Sequence, residues 1–186
     1  MTAVFLVGFM GAGKSSVGRA LGERLNWIFE DLDDRIARRE GRSVPEIFRA
    51  SGESGFRRAE HDALRDLLPE LRSGGRIIAL GGGAFVQKNN AALLKQAGVP
   101  TIFLDATVEE LWRRCCTQAQ EAGAERPLLA SPEQFRKLYQ NRRRRYRRAW
   151  LTISTSCRTV DEIAAEITQT LGLKQIAIRV EQGDVE

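Results

Sequence analysis

The sequence predicts an α/β domain, a five-stranded parallel sheet flanked by helices, on three observations. Short apolar runs alternate with helical patterns along the whole chain. The first run, Val4-Phe5-Leu6-Val7, passes through a glycine-rich turn straight into a helical pattern. The length of 186 residues suits one domain with one core, expected over residues 1–173, followed by a tail over 174–186.

The elements follow in order. Strands are predicted at Ala3–Val7, Trp27–Glu30, Arg76–Leu80, Pro100–Leu104 and Leu151–Ser154, where apolar residues run together. Helices are predicted at Lys14–Leu25, Asp33–Glu40, Ser43–Ala50, Gly52–Arg72, Lys88–Gln96 and Val108–Thr117. A basic helix over Pro132–Ala149 and a last one over Val160–Leu171 complete the set. Thr159 has the character of a helix cap, with Asp161 and Glu162 in the first turn. The segment Gln118–Glu125 is small, polar and off the apolar period, which fits a mobile lid and an ordinary surface loop equally. Lys174–Glu186 alternates apolar and polar residues without a turn signal and is expected to be a loosely attached tail.

The turn after the first strand is the most specific motif. Gly8-Phe9-Met10-Gly11-Ala12-Gly13-Lys14-Ser15 fits G-x-x-x-x-G-K-[ST] between a strand and a helix, the context the motif requires. Its glycines let backbone N–H groups turn inward around a phosphate, and the helix N-terminus adds partial positive charge. Lys14 is expected to reach the β- and γ-phosphates, and the Ser15 hydroxyl to hold Mg²⁺. The motif implies a nucleoside triphosphate.

Composition narrows the classes. Apolar content of 42% and charged content of 28% are ordinary for a globular protein, and no apolar stretch approaches a membrane span. The N-terminus lacks the basic region and cleavage site of a signal peptide. Three cysteines without metal-ligand spacing (Cys115, Cys116, Cys157) fit reduced thiols and a cytoplasmic location. The net charge of +5 is concentrated between Arg136 and Arg148, around the run Arg142–Arg145. Such a cluster fits a nucleic-acid patch, or a solvated helix face with one or two arginines turned to an anionic substrate; without a recognised nucleic-acid module the second is favoured.

Phosphoryl transfer needs a metal, cations on the transferring group and a positioned nucleophile. Asp31 and Asp33 end the second apolar run, and an i, i+2 spacing on an extended segment turns both carboxylates the same way. One suits water-mediated contact with Mg²⁺, the other orientation or deprotonation of a hydroxyl; helix N-terminal acidity is the plainer alternative. His61, the only histidine, is read as a surface residue, which leaves a carboxylate as the general base. Gly81-Gly82-Gly83 after the third strand lets backbone approach a ligand closely, or makes a flexible turn. Arg57 and Glu60 are spaced to pair on a helix surface.

Taken in order, these segments resemble the shikimate kinase family, among the nucleoside-monophosphate-kinase-like P-loop proteins. The resemblance runs from about Val4 to Leu171 through Gly8–Ser15, Asp31-Leu32-Asp33, Gly41-Arg42-Ser43 with Ile47-Phe48, and Gly52-Glu53. It continues through Phe56–Glu60, Gly81–Gly83, Arg126-Pro127-Leu128-Leu129 and Arg142 four residues before Tyr146. It implies a three-layer P-loop fold with strand order 2-3-1-4-5, substrate-binding helices and a lid over about 115–128. It implies transfer of the γ-phosphate of Mg·ATP to the 3-hydroxyl of shikimate, by a monomer that needs neither nucleic acid nor membrane. Asp33 corresponds to the base at that hydroxyl, Asp31 to the water-mediated metal partner, and Arg57 and Arg142 to the arginines on the substrate carboxylate. Gly81, Gly82 and Gly83 correspond to backbone beside the ring, and Arg126 to the lid arginine on the transferring phosphate. Gly11, Ala12, Gly13, Lys14, Ser15 and Ser16 line the nucleotide, with Arg114 and Arg158 flanking adenine. A gluconate or nucleoside-monophosphate kinase, or a non-catalytic nucleotide-dependent binding protein, is the alternative. The chain departs from the family in a longer stretch between Arg114 and Arg126 and in Phe85, where a smaller residue is usual.

Overall fold

A computed structural model describes residues 2–72, 74–122 and 131–176. Five parallel strands form one sheet in the order β2-β3-β1-β4-β5: β1 Ala3–Val7, β2 Ile28–Asp31, β3 Arg76–Ala79, β4 Thr101–Asp105 and β5 Leu151–Ser154. β1 lies at the centre and all its side chains are buried, because a parallel sheet covered on both faces needs apolar residues on both. Ile77, Ile78, Ile102, Phe103 and Leu104 extend that double-sided core into β3 and β4.

Seven helices surround the sheet among the described residues: α1 Lys14–Leu25, α2 Leu32–Glu40, α3 Val44–Leu67, α4 Lys88–Ala97, α5 Val108–Ala122, α6 Pro132–Tyr146 and α7 Val160–Leu171. α1 packs on α7 and on β2 and β3; α2 packs on α3, and α5 on α6. The α7 start is a capping box, in which Thr159 accepts from the Glu162 N–H while Glu162 accepts from the Thr159 N–H.

Several boundaries differ from the sequence reading for local reasons. Trp27 is not in β2: Asn26 closes α1 in the left-handed conformation (φ 53°), and the Trp27 N–H bonds back to Gly22 O. The strand therefore runs one residue further and ends on Asp31. The two helices predicted on either side of Ser51 form a single element, α3, kinked at Gly52 (φ 64°, ψ −174°). α3 stops at Leu67, and Leu68–Arg72 tightens into a 3₁₀ turn around Pro69, which has no N–H to donate. α6 ends at Tyr146, and i to i−3 bonds from Arg148 and Ala149 close it. Gln118–Ala122 continues α5 as helix rather than loop. An unforeseen 3₁₀ turn, Ala84–Val86, follows the triple glycine.

The first tail residues are held rather than loose. Ile176 N–H donates to Leu25 O at 3.0 Å, Asn26 Nδ2 to Ile176 O at 3.1 Å and Trp27 Nε1 to Lys174 O at 3.2 Å. The remainder of the tail lies outside the described residues. No helix among the described residues is long and apolar enough to cross a membrane.

Candidate active site

At the carboxyl ends of the strands, β1 leads into the glycine loop and β2 into Asp31. Gly11 sits at φ 76°, and a Cβ there would lie 2.8 Å from Leu111 O and 2.9 Å from Cys115 Sγ. Only glycine lets the loop lie against α5 in this way. Arg114 fastens the same contact, donating to Gly11 O at 3.4 Å and to Thr155 O at 2.8 Å while pairing with Glu110 at 2.5 Å. Lys14 Nζ folds over the loop, donating to Gly8 O at 3.1 Å and Phe9 O at 3.0 Å. Burial draws its pKa down, against the pull of Asp31 and Asp33.

Asp31 and Asp33 do converge, though not from one extended segment. Asp31 caps α2, its Oδ1 accepting from the Asp33 N–H at 3.1 Å, and Asp33 stands in the first helical turn. The second oxygen of Asp31 accepts from Ser15 Oγ at 3.0 Å. That pair presents a hydroxyl and a carboxylate together, hard oxygen donors of the kind Mg²⁺ takes alongside phosphate oxygens and water. Helix capping and function are therefore compatible at Asp31. Asp33 Oδ1 is buried and has no hydrogen-bond partner. Burial, with Asp31 beside it, pushes its carboxyl up to about 6. A buried acceptor left unsatisfied calls for a donor from a ligand.

The triple glycine makes room for two charged side chains and lies beside a third. A Cβ on Gly81 would lie 2.7 Å from Asp33 Oδ1, and one on Gly83 would lie 2.5 Å from the Arg57 guanidinium. Arg142 Nη1 donates to Gly82 O at 3.4 Å, and its guanidinium lies 5.9 Å from the centre of the Phe9 ring. Asp33, Arg57 and Arg142, from α2, α3 and α6, thus meet over one stretch of backbone.

The sequence reading foresaw the pairing of Arg57 with Glu60 but put it on the surface. Glu60 is fully buried and receives both bonds of one Arg57 nitrogen, at 3.0 and 3.1 Å, while Glu53 takes the other side. This is an interior pair, not a surface one. Burial raises the Glu60 carboxyl to about 7 despite the guanidinium. Asn90, also buried, donates to Ala84 O at 3.2 Å and approaches Glu60 Oε2 at 3.5 Å. His61 is half-buried rather than on the surface, its Nδ1 2.8 Å from Asn90 Oδ1. Tyr146, buried beneath Arg142, donates to Gly82 O. The i, i+3 spacing of Arg57 and Glu60 was a usable signal, and Tyr146 stood in the motif with Arg142; Asn90 gave none.

Other expected residues fall at greater remove. Ala12 is buried in the loop and Ser16 is exposed in the first turn of α1. Arg158 spends its bonds within the β5–α7 junction, on Ser154 O, Glu162 O and Glu166. Arg126 lies outside the described residues.

Comparison with known proteins converges on one family. The family model described as shikimate kinase matches residues 10–172. A shikimate kinase of Geobacter metallireducens is 42% identical over 168 residues, 89% of each chain. The structure of a shikimate kinase from Acinetobacter baumannii in complex with shikimate superimposes with a TM-score of 0.80 at 35% identity, covering 92% of this chain and 93% of that one. A gluconokinase from Sinorhizobium meliloti shares the fold alone, at 16% identity and a TM-score of 0.52 over 92% of this chain and 95% of that one. On the extent of that match, the chain belongs to the shikimate kinase family.

Proposed function

We propose that this chain transfers the γ-phosphate of ATP to the 3-hydroxyl of shikimate. The observation that carries the reading is Asp33 Oδ1, a buried acceptor without a partner, set between Lys14 of the loop and the glycine segment. A hydroxyl donated to that oxygen satisfies it and is oriented for attack. Asp33 takes the proton as the O3–Pγ bond forms and the bond from Pγ to the β-phosphate oxygen breaks, releasing ADP. Arg57 and Arg142 hold the acceptor carboxylate, for which planar guanidinium groups suit bidentate contact. Glu53 and Glu60 orient Arg57 for that contact. Lys14, the loop N–H groups and Arg126 stabilise charge on the transferring phosphoryl group. Gly11–Ser16 line the nucleotide, with Arg114 and Arg158 towards its base.

Mg²⁺ belongs with this reading: Ser15 would bind it directly and Asp31 through water, and bound there it neutralises phosphate charge. The arginine run supports a small-molecule site rather than a nucleic-acid patch. Arg142 bonds Gly82 O, Arg143 pairs with Asp105 at 2.6 Å and Arg145 bonds Val86 O at 3.4 Å. With reduced cysteines, this is the reading of a cytoplasmic monomer acting on free metabolites.

ADP release measured with Mg·ATP and, separately, shikimate, gluconate and AMP tests the proposal. Stimulation by shikimate alone is expected. Stimulation by either of the others instead overturns it.

A further inference from the structure

Beside Arg57, a cavity of about 600 Å³ opens between α3, the Ala84–Val86 turn, the start of α4 and the end of α6. Its volume is in the range of small-molecule sites. Its charge is one-sided. Arg58, Lys88 and Arg145 line it, and none of them pairs with a carboxylate among the described residues. Asp62 is the one acid in its wall, and it already holds Arg65 at 3.1 Å. Arg145 is steadied at the rim by its bond to Val86 O at 3.4 Å. His61 and Asn90 complete the wall with polar atoms, bonded to each other at 2.8 Å. Arg58, Lys88 and Arg145 are exposed residues from three separate elements, α3, α4 and α6, and together they concentrate positive charge around one concavity.

We propose that this cavity is a second anion site, for a phosphate group, distinct from the phosphate loop. A dianion with three acceptor oxygens suits three cations around one cavity better than a single carboxylate does. The site shares Arg57 with the acceptor pocket, and this gives a direction to its effect. An anion held here draws on the field of a guanidinium that already carries Glu53 and Glu60. It weakens the grip of Arg57 on the acceptor carboxylate and raises the KM for shikimate. This second part rests on the role given to Arg57 above; the site itself does not.

The test is calorimetric titration of inorganic phosphate into the full chain at constant ionic strength. A saturating non-hydrolysable ATP analogue keeps the phosphate loop filled. Saturable binding of one phosphate per chain is expected. Arg58→Glu and Lys88→Glu should each weaken it by at least about tenfold, the scale of one hydrogen bond to a charged group. Arg147→Glu makes the same charge change on an exposed residue outside the cavity, and Arg142→Ala opens the acceptor pocket; both should stay within about twofold of wild type, as independent sites do. No binding, equal loss in Arg147→Glu, or loss in Arg142→Ala overturns the site. Phosphate that binds but leaves the shikimate KM unchanged overturns the coupling alone. Binding that persists in a chain showing no shikimate-dependent turnover overturns the function proposed above and leaves the site standing.

Discussion

The phosphate loop and the acceptor pocket meet at Asp31 and Asp33, yet they are built differently. The loop is one continuous segment whose own backbone provides the binding groups, shaped by glycine and set at the start of α1. The acceptor pocket draws Asp33, Arg57, Gly81–Gly83 and Arg142 from α2, α3, the end of β3 and α6. The loop leans on α5 through Gly11 and Arg114, but its phosphate-facing groups come from one stretch of chain. The pocket depends on ionised groups held out of water, where Asp33 and Glu60 are both pushed towards neutrality. One half is preorganised by covalent connectivity, the other by packing, and damage to each should register in different constants.

The largest loss is expected from Lys14→Ala on the loop side. Turnover should fall roughly 10³-fold, the scale of removing a preorganised group from developing charge, while shikimate affinity stays near wild type. A comparable loss of shikimate binding in equilibrium titration would mean the halves are not separable. Asp33→Asn is next. Turnover should drop at least about 100-fold, the lower range for acid–base catalysis, with ATP-analogue binding nearly unchanged. Turnover near wild type would remove Asp33 as the base.

The same carboxyl sets a pH dependence. Its folded pKa of about 6 lies above the ordinary value of 3.8, so the ionised base is lost as pH falls through 6. kcat/KM should decline roughly tenfold between pH 7 and pH 5 for a single group of this kind. A profile flat to pH 5 contradicts the assignment. For stability the sign is opposite: a raised carboxyl pKa favours the fold below about 4 and loses that contribution as pH rises through 6. Asp33→Asn should therefore stabilise the ligand-free protein at pH 7.5 by about 1–3 kcal/mol, or a few degrees in Tm. The smallest effect is expected from Gly83→Ala. Its methyl would meet the Arg57 guanidinium, a flexible side-chain end that can yield. The KM for shikimate should rise by about tenfold or less, since a small shift of a positioning group costs up to about 10²-fold, at unchanged KM for ATP.

The two halves also differed in how far they could be read before the fold was known. Gly8–Ser15 was legible because its groups are consecutive and its strand–helix setting is local. Asp33, Arg57 and Arg142 became a set only through resemblance, since nothing in their spacing says that α2, α3 and α6 meet. The burial of Glu60 and the link from Asn90 to Ala84 depend on α4 packing against α3, which no local pattern records. Strand positions held closely because the apolar runs are short and sharply bounded. Leu80 and Pro100 fell just outside β3 and β4, and Trp27, apolar in character, was committed to the α1 cap. α5 outran its predicted end because Gln, Ala and Glu are good helix formers without any apolar period.

The anchoring of Lys174 and Ile176 on Asn26, Trp27 and Leu25 bears on how the molecule is made. β2 is an edge strand of the sheet, and the residues leading into it, Leu25 to Trp27, are tied to Lys174 and Ile176. A chain emerging amino end first can pair β2 with β3 long before those ties exist. The entry to the strand that delivers Asp31 is therefore fastened only after Lys174 to Ile176 have been made, with Ile176 150 positions beyond Asn26. A truncation just before Lys174 would remove no site residue and still leave that strand's entry unfastened.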